Sequence, residues 1–517
     1  MTLSRTDKSL LNARVNAIYY FIILLISFFT RKIYIDSLGV EFMGLTTTLN
    51  SVLGFLNLTE LGVGAAVSFT LYTPLARDDR VEINKIISIL GYIYIRIGCI
   101  ILGLGVLLSL FFVWMFESSG ISLAVIYFAF YCYLLASLLG YFLNYPSTLF
   151  TADQRGYEIT RYSQLAAVAR MLLAAAIAKW SANLYLFVFV DLLFGAIVAY
   201  IIQRRVSRVY PWLKASLSHA REYLREYPSI ITKTKQVFAH KIGGLVQSQA
   251  TPIIIYSFTT LTVVALYTNY TVITAKLSGA VESVMGSSIA SVGNLVAQGD
   301  TQRIVKVYYE MLSLRFFVAG YFTFMLYMLT EPFITIWLGG EFLLSHAVLV
   351  IMLFSCYISY FRNTTEQFIM GYGLFDDVWA PYTESAICIV ASIVGGYYWG
   401  LAGILSGNAL SLITIIGVWK PYFLYSRGFK RSVWGYWRGF ALRFAIFMVA
   451  SLLTILVYDR WLSIVATSYL QFIVCGLYLT LLFLAIYTPM LLIFDRGFRE
   501  FTSRTIRICL NFFHLIC

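Results

Sequence analysis

Charge is scarce in this sequence. Asp, Glu, Lys and Arg make up 12% of its 517 residues, about half of the roughly 25% that a soluble domain carries. Histidine is nearly absent as well, and the four present (His219, His240, His346, His514) show no metal-ligand spacing. The seven cysteines are odd in number and lie mostly inside apolar runs (Cys99, Cys132, Cys356, Cys388, Cys475), so no disulfide framework is indicated. No Walker loop, nucleophile elbow or dinucleotide fingerprint occurs. ATP-driven pumping, ordinary hydrolysis and a bound cofactor therefore have no residues to support them. Polar blocks large enough to build a soluble core are missing too, so whatever this chain does must happen in a membrane or at its surfaces.

What is present is hydrophobic. Apolar residues account for 60% of the chain and the mean hydropathy is +0.79, values of an integral membrane protein. About fourteen stretches are long enough to span, from 12–35 through 464–493, at roughly 20 residues for each crossing. Basic residues before YYFIILLISFF resemble a signal sequence, but RKIYID follows where a small-residue cleavage site would stand, so this run reads as the first helix. Pro74, Pro146, Pro252 and Pro489 are expected kinks or ends. The glycines Gly396, Gly400, Gly403 and Gly407 lie at small-residue spacings across a short turn, which predicts close helix contact.

The loops set the orientation. Most of the 38 Lys and Arg fall in RDDRVEINK, ADQRGYEITR, the stretch from Gln203 to Tyr227, GDTQRIVK, SRGFKRSVWGYWR and the final tail. All of these share one side if the chain crosses fourteen times with both termini in the cytoplasm. The net charge of +13 is thereby spread over helix ends facing an anionic leaflet. It is not gathered on one folded face, so the partner implied is anionic membrane lipid and not nucleic acid.

A shift of about 220 residues lays YIYIRIGCI over MLSLRFFVA and GYFLNYPSTLF over SYFRNTTEQFI, a weak internal duplication. It superposes Arg96 on Arg315 and Asn144 on Asn363. Six spans separate the partners, so the halves have the same orientation. The expected organisation is a six-helix bundle over 1–206, an amphipathic cytoplasmic linker over 207–235, a second six-helix bundle over 236–425, two further helices over 426–494, and an amphipathic tail over 495–517.

Charges inside the spans carry the functional reading, because they normally face a bundle interior or a water-filled cavity. The cations are Arg96, Arg170, Lys276, Arg315 and Arg362; the acids are Glu60, Asp191, Glu282, Glu366 and Glu384. With Asn57, Asn144, Asn363, Gln367 and the run Thr46 to Thr48, they describe a polar chamber. Arg362 and Glu366, four apart on one helix face, can equally pair with each other. The acids either neutralise the arginines or carry coupling protons or sodium.

The segment GVEFMGLTTTLNSVLGFLNLTELGVGAAVSFTLYTPLARDDRVEINKI (39–86) resembles the N-terminal part of bacterial polysaccharide-repeat flippases in the MOP (multidrug/oligosaccharidyl-lipid/polysaccharide) exporter superfamily. The resemblance implies an all-α MATE-like fold: two pseudo-symmetric six-helix bundles around an alternating cavity, here with two C-terminal helices added. It implies a non-enzymatic transporter of the bacterial inner membrane that flips undecaprenyl-diphosphate-linked oligosaccharide for surface polysaccharide assembly, beside other assembly proteins. A diphosphate is a dense anion suited to arginine, which makes Arg96, Arg170, Lys276, Arg315 and Arg362 the candidate cargo ligands. Glu60, Asp191, Glu282 and Glu366 are the candidates for charge balance or coupling. A cation-coupled multidrug antiporter of the same fold is the alternative. A membrane glycosyltransferase or polymerase is disfavoured because the outer loops are short.

Overall fold

In a computed structural model, residues 5–57, 62–285, 289–374, 376–461 and 466–516 are described, and among them helices are joined by turns with no strand. Apolar runs of this length leave the backbone one way to satisfy its own N–H and C=O groups away from water, which is the helix. Nine of the described helices are long and apolar enough to cross a membrane, so the chain is a multi-pass membrane protein.

The chain divides into two compact units, Met1–Ala265 and Leu266–Cys517. The first contains α1 (Arg5–Leu38), α2 (Val40–Leu56), α3 (Val63–Ala76), α4 (Arg80–Ser109), the short α5 (Phe112–Met115), α6 (Leu123–Phe142), the short α7 (Thr148–Ala152), α8 (Gly156–Ser181), α9 (Leu184–Val209), α10 (Ala220–Glu226) and α11 (Pro228–Phe258). Within it α1 packs on α8, α6 on α4 and α9, and α11 on both α2 and α3. Pro74 sits in the last turn of α3, and Pro146 lies in a 3-10 turn after α6. Pro252 is carried inside α11.

α12 (Leu261–Met285) begins at the division. The second unit continues with α13 (Ile289–Ala297), α14 (Thr301–Trp337), α15 (His346–Gly371) and α16 (Trp379–Ser411). A π-helical segment (Leu412–Trp419), α17 (Lys420–Phe423) and a second π-helical segment (Leu424–Phe429) follow. The unit ends with α18 (Trp434–Trp461), α19 (Tyr469–Phe494) and α20 (Arg496–Ile516). Here α14 packs on α15, α19 and α20, and α18 packs on α19.

α16 folds back on itself at Gly400, whose φ of 55° and ψ of −136° suit a residue without a side chain. The two arms touch through Gly395 and Gly403: a Cβ added to Gly403 would sit 1.9 Å from the Gly395 carbonyl oxygen. The turn and close contact match the sequence reading, with Gly395 in the place expected of Gly396. Beyond the turn, Pro421 withholds a backbone donor, and π-helical turns lie on either side of it.

α4 and α14, the helices that the 220-residue shift superposes, start alike. Asp79 accepts from the Glu82 N–H at 2.9 Å and Asp300 from the Arg303 N–H at 3.1 Å, each an Asp cap holding one of the orphan donors of its helix.

Candidate functional site

Three helices of the spanning set, α8, α11 and α12, are long enough to cross but too polar to count as apolar. Two of them, α8 and α11, border a cavity of about 800 Å³ in the first unit. Its polar lining comes from Asn50 on α2 and Asn57 just after it, Asn144 after α6, Ser163 and Arg170 on α8, Asp191 on α9 and Gln249 on α11. Gln249 reaches in because position 54 is glycine, where a Cβ would lie 2.3 Å from its Oε1. Asn57 is held in place: its Oδ1 accepts from Ser137 Oγ at 3.2 Å and from the Tyr141 hydroxyl at 3.0 Å. Arg170 and Asp191 form an ion pair on the cavity wall, with 38% and 23% of their side chains exposed. The buried Oδ1 of Asn144 has no hydrogen-bond partner among the described residues. Such a group costs free energy unless water or a ligand satisfies it.

Two expected lining groups turn elsewhere. The hydroxyls of Thr46, Thr47 and Thr48 donate back to the α2 carbonyls of Met43 and Gly44 at 2.9–3.0 Å. Arg96 lies on an exposed face of α4, its guanidinium 4.3 Å from the centre of the Tyr92 ring, and is not among the cavity's lining residues. Glu60 lies outside the described residues.

The second unit gathers its own charges. Arg315 on α14 donates to Glu282 on α12 at 2.6 Å; the arginine side chain is 3% exposed and the glutamate 36%. Arg362 on α15 donates to Glu366 one turn on at 2.8 Å, and to both oxygens of Glu384 on α16 at 2.9 and 3.4 Å. Glu384 is the buried partner and Glu366 the partly open one. Lys276 on α12 and Asn363 on α15 are half-buried, and Gln367 on α15 is buried with its Oε1 unpartnered among the described residues. The two cations Arg315 and Arg362 pair with three carboxylates, Glu282, Glu366 and Glu384, so this set carries no excess positive charge. It is no simple cationic pocket.

A second face of α15 has opposite chemistry. Val350, Phe354, Ile358 and Phe361 recur at helical spacing and line two adjoining apolar pockets of about 520 and 400 Å³ that share Phe354. α14, α18 and the first π-helical segment complete the walls, with Phe324, Gly417, Trp437, Phe440 and Phe447 among the residues that face in. One helix thus separates an ionic cluster from an apolar groove.

Reading the sequence overlooked Asn50 and Gln249, and two buried pairs. Lys420 donates to Asp377 at 2.5 Å, with side chains 7% and 1% exposed. Arg443 donates to the two oxygens of Asp495 at 2.7 and 3.0 Å and to Ser313 Oγ at 3.0 Å. The available signal was a lone cation inside an apolar run, VWKPYF and ALRFAIFMV, the same signal that singled out Arg96 and Arg315.

No protein-family pattern and no curated protein matches this sequence. Solved structures do. The chain is similar to the lipid II flippase MurJ in an inward closed conformation, with a TM-score of 0.62 at 14% identity, covering 92% of this chain and 99% of that one. It is similar to an inward-facing multidrug resistance MATE family transporter of the MOP superfamily, with a TM-score of 0.61 at 13% identity, covering 80% of this chain and 98% of the transporter. At these identities the likeness is one of fold, and the fold is that of the MOP superfamily.

Proposed function

We propose that this protein is a flippase that moves an undecaprenyl-diphosphate-linked oligosaccharide across the bacterial inner membrane by alternating access, for surface polysaccharide assembly. The observation that carries the reading is the division of α15 into two faces. Arg362, paired with Glu366 and with Glu384 of α16, forms the ionic side; Phe354, Ile358 and Phe361 form the apolar one. An amphiphile with a charged head and an isoprenoid tail needs both surfaces side by side, whereas a soluble cargo has no use for the groove. The likeness to a lipid II flippase over 92% of the chain supports the same reading.

In this proposal the partly open carboxylates are placeholders. Asp191, Glu282 and Glu366 hold Arg170, Arg315 and Arg362 while no cargo is bound, which avoids the cost of an uncompensated charge away from water. A diphosphate displaces them, because a guanidinium donates to it in a bidentate, charge-assisted geometry. The displaced carboxylate then takes up a proton or a sodium ion, which couples ion and cargo without a further cofactor. Lys276 adds a cation to the same unit, and Asn57, Asn144, Asn363 and Gln367 offer hydrogen bonds to sugar hydroxyls. Arg96 and Glu60 belong to the proposed set by their place in the sequence alone. The second reading, a cation-coupled multidrug antiporter, draws its support from the likeness to the MATE family transporter.

The test reconstitutes the protein in vesicles with a fluorescent undecaprenyl-diphosphate-linked trisaccharide and follows its protection from an external reagent. The paired variant Arg362→Gln/Glu384→Gln removes cation and buried partner together, so the interior keeps hydrogen-bonded amides. Loss of one charge-assisted contact predicts flipping slowed by about ten- to a hundredfold. Unaltered flipping by the variant, or vesicles that exclude the saccharide yet exchange cationic drugs for protons, overturns the flippase reading.

A further inference from the structure

The last helix builds a second charged site, whose lining includes neither Arg315 nor Arg362 nor their partners. α20 docks on the first half of α14. Phe498 sets its ring 5.1 Å from that of Phe317, and Gly497 lies where a Cβ would come within 2.3 Å of Ser313 Oγ. Arg504 pairs with Glu310 at 2.7 Å, a carboxylate whose side chain is 2% exposed, and Lys306 pairs with Glu500 at 3.5 Å. The docking leaves a cavity of about 590 Å³ in which Arg303, Lys306, Arg499, Arg504 and Arg507 face only two carboxylates, Glu310 and Glu500.

Those two carboxylates are already engaged, since Glu500 also accepts from Arg496 at 2.8 Å. Arg499 spends its guanidinium on the carbonyls of Leu492 and Ile493 at the end of α19. Among the described residues no carboxylate pairs with Arg303 or Arg507. Two helix faces, one from each side of the corner, therefore aim surplus positive charge into one concavity. Exposed Ile493, Phe494 and Ile506 sit beside it in the chain. A strongly basic hollow next to exposed apolar side chains is the surface an anionic amphiphile covers, with its phosphate in the hollow and its chains along the apolar rim.

We infer that the corner between α14 and α20 is a binding site for the phosphate headgroup of an anionic phospholipid, held chiefly by Arg303, Lys306 and Arg507, with Arg504 oriented by Glu310. The site lies on the side that the distribution of basic residues assigns to the cytoplasm, where such lipids are concentrated. It is independent of the cargo: a protein that flips nothing could still possess it.

The experiment titrates the purified full chain in detergent with phosphatidylglycerol or phosphatidylcholine and counts retained lipid by native mass spectrometry. The double variant Arg303→Gln/Arg507→Gln is compared with Arg221→Gln/Arg431→Gln, which removes the same charge elsewhere. Phosphatidylglycerol is retained and phosphatidylcholine is not, and the first variant weakens retention about thirtyfold, from about 1 kcal/mol for each of two cations. The control variant leaves retention unchanged, and Arg303→Lys/Arg507→Lys keeps most of it. Equal weakening by both double variants, equal retention of the two lipids, or full displacement of phosphatidylglycerol by millimolar inorganic phosphate overturns the inference, the last in favour of a soluble anion. If Arg303→Gln/Arg507→Gln fails to fold, Arg507→Gln alone decides, since this side chain is exposed and in no ion pair among the described residues, and unchanged retention then refutes the site.

Discussion

Breaking the ion pair between Arg443 and Asp495 tests how the last two spanning helices are fastened. Arg443 on α18 and Asp495 at the junction of α19 and α20 have side chains 5% and 4% exposed, with two short hydrogen bonds between them and a third from the arginine to Ser313 on α14. Asp495→Asn leaves the guanidinium buried without its counter-charge, which costs about 3 to 5 kcal/mol. The amide keeps an oxygen for the Gly497 N–H, which Asp495 Oδ1 accepts at 3.1 Å, so the start of α20 stays capped. Arg443→Met costs less. The orphaned carboxylate then faces the N-terminus of α20, which offsets roughly 0.3 to 2 kcal/mol. The double variant removes both charges and costs about 1 kcal/mol or less, because apolar or neutral replacements of a buried pair are often near neutral. Equilibrium unfolding of the four proteins in mixed micelles completes the cycle, with an expected coupling of about 2 kcal/mol or more. Additive single effects, or an Asp495→Asn variant within about 0.5 kcal/mol of the parent, would refute the claim that this pair locks α18 through α20 onto α14.

Further outcomes follow from the same geometry. Gly403→Ala forces a methyl group into the Gly395 carbonyl and lowers stability by about 1 to 3 kcal/mol; thermal unfolding measures it. Gly103→Ala, where a Cβ meets nothing within 4 Å, is neutral or raises stability by up to about 1 kcal/mol. In a background without native cysteines, Asn50→Cys reacts with a membrane-impermeant thiol reagent and buried Leu138→Cys does not. Failure of Asn50→Cys to react from either side shows that the cavity of the first unit is dry. Glu500 titrates below the usual glutamate value of 4.5, first because Arg496 donates to its carboxylate and then because Lys306 lies near. Its contribution to holding α20 is thus complete above that value and is lost as pH falls through the lowered one. Protection of the α20 amides, taken relative to their intrinsic exchange rate at each pH, is expected to stay constant from pH 8 to about 5 and to fall only in stronger acid, a fall that Glu500→Gln removes.

The similar starts of α4 and α14, each capped by an aspartate, were legible in the sequence, yet the match between Arg96 and Arg315 misled about their surroundings. Arg96 stands two residues further from its capping Asp79 than Arg315 stands from Asp300. At about 100° per residue, two residues turn a side chain by about 200°. One arginine is accordingly exposed beside Tyr92 and the other is buried against Glu282. A single shift of about 220 residues cannot register this. Pairing shows the same limit. Arg362 with Glu366 was visible as a spacing of four, whereas Glu384, the partner that Arg362 grips with two nitrogens, is brought near only by the packing of α15 on α16.

Composition and periodicity by themselves determined that this is a membrane protein made of helices, and which residue types interrupt its apolar runs. Those properties are local, because an uninterrupted apolar run must satisfy its backbone internally wherever it ends up. Which charges meet, which cavity they border and what covers the apolar face of α15 were decided by tertiary structure alone. An ion pair depends on the rotation and neighbours of two helices, and the residues joining them, Arg443 with Asp495 or Lys420 with Asp377, are separated by a chain whose length carries no record of that rotation.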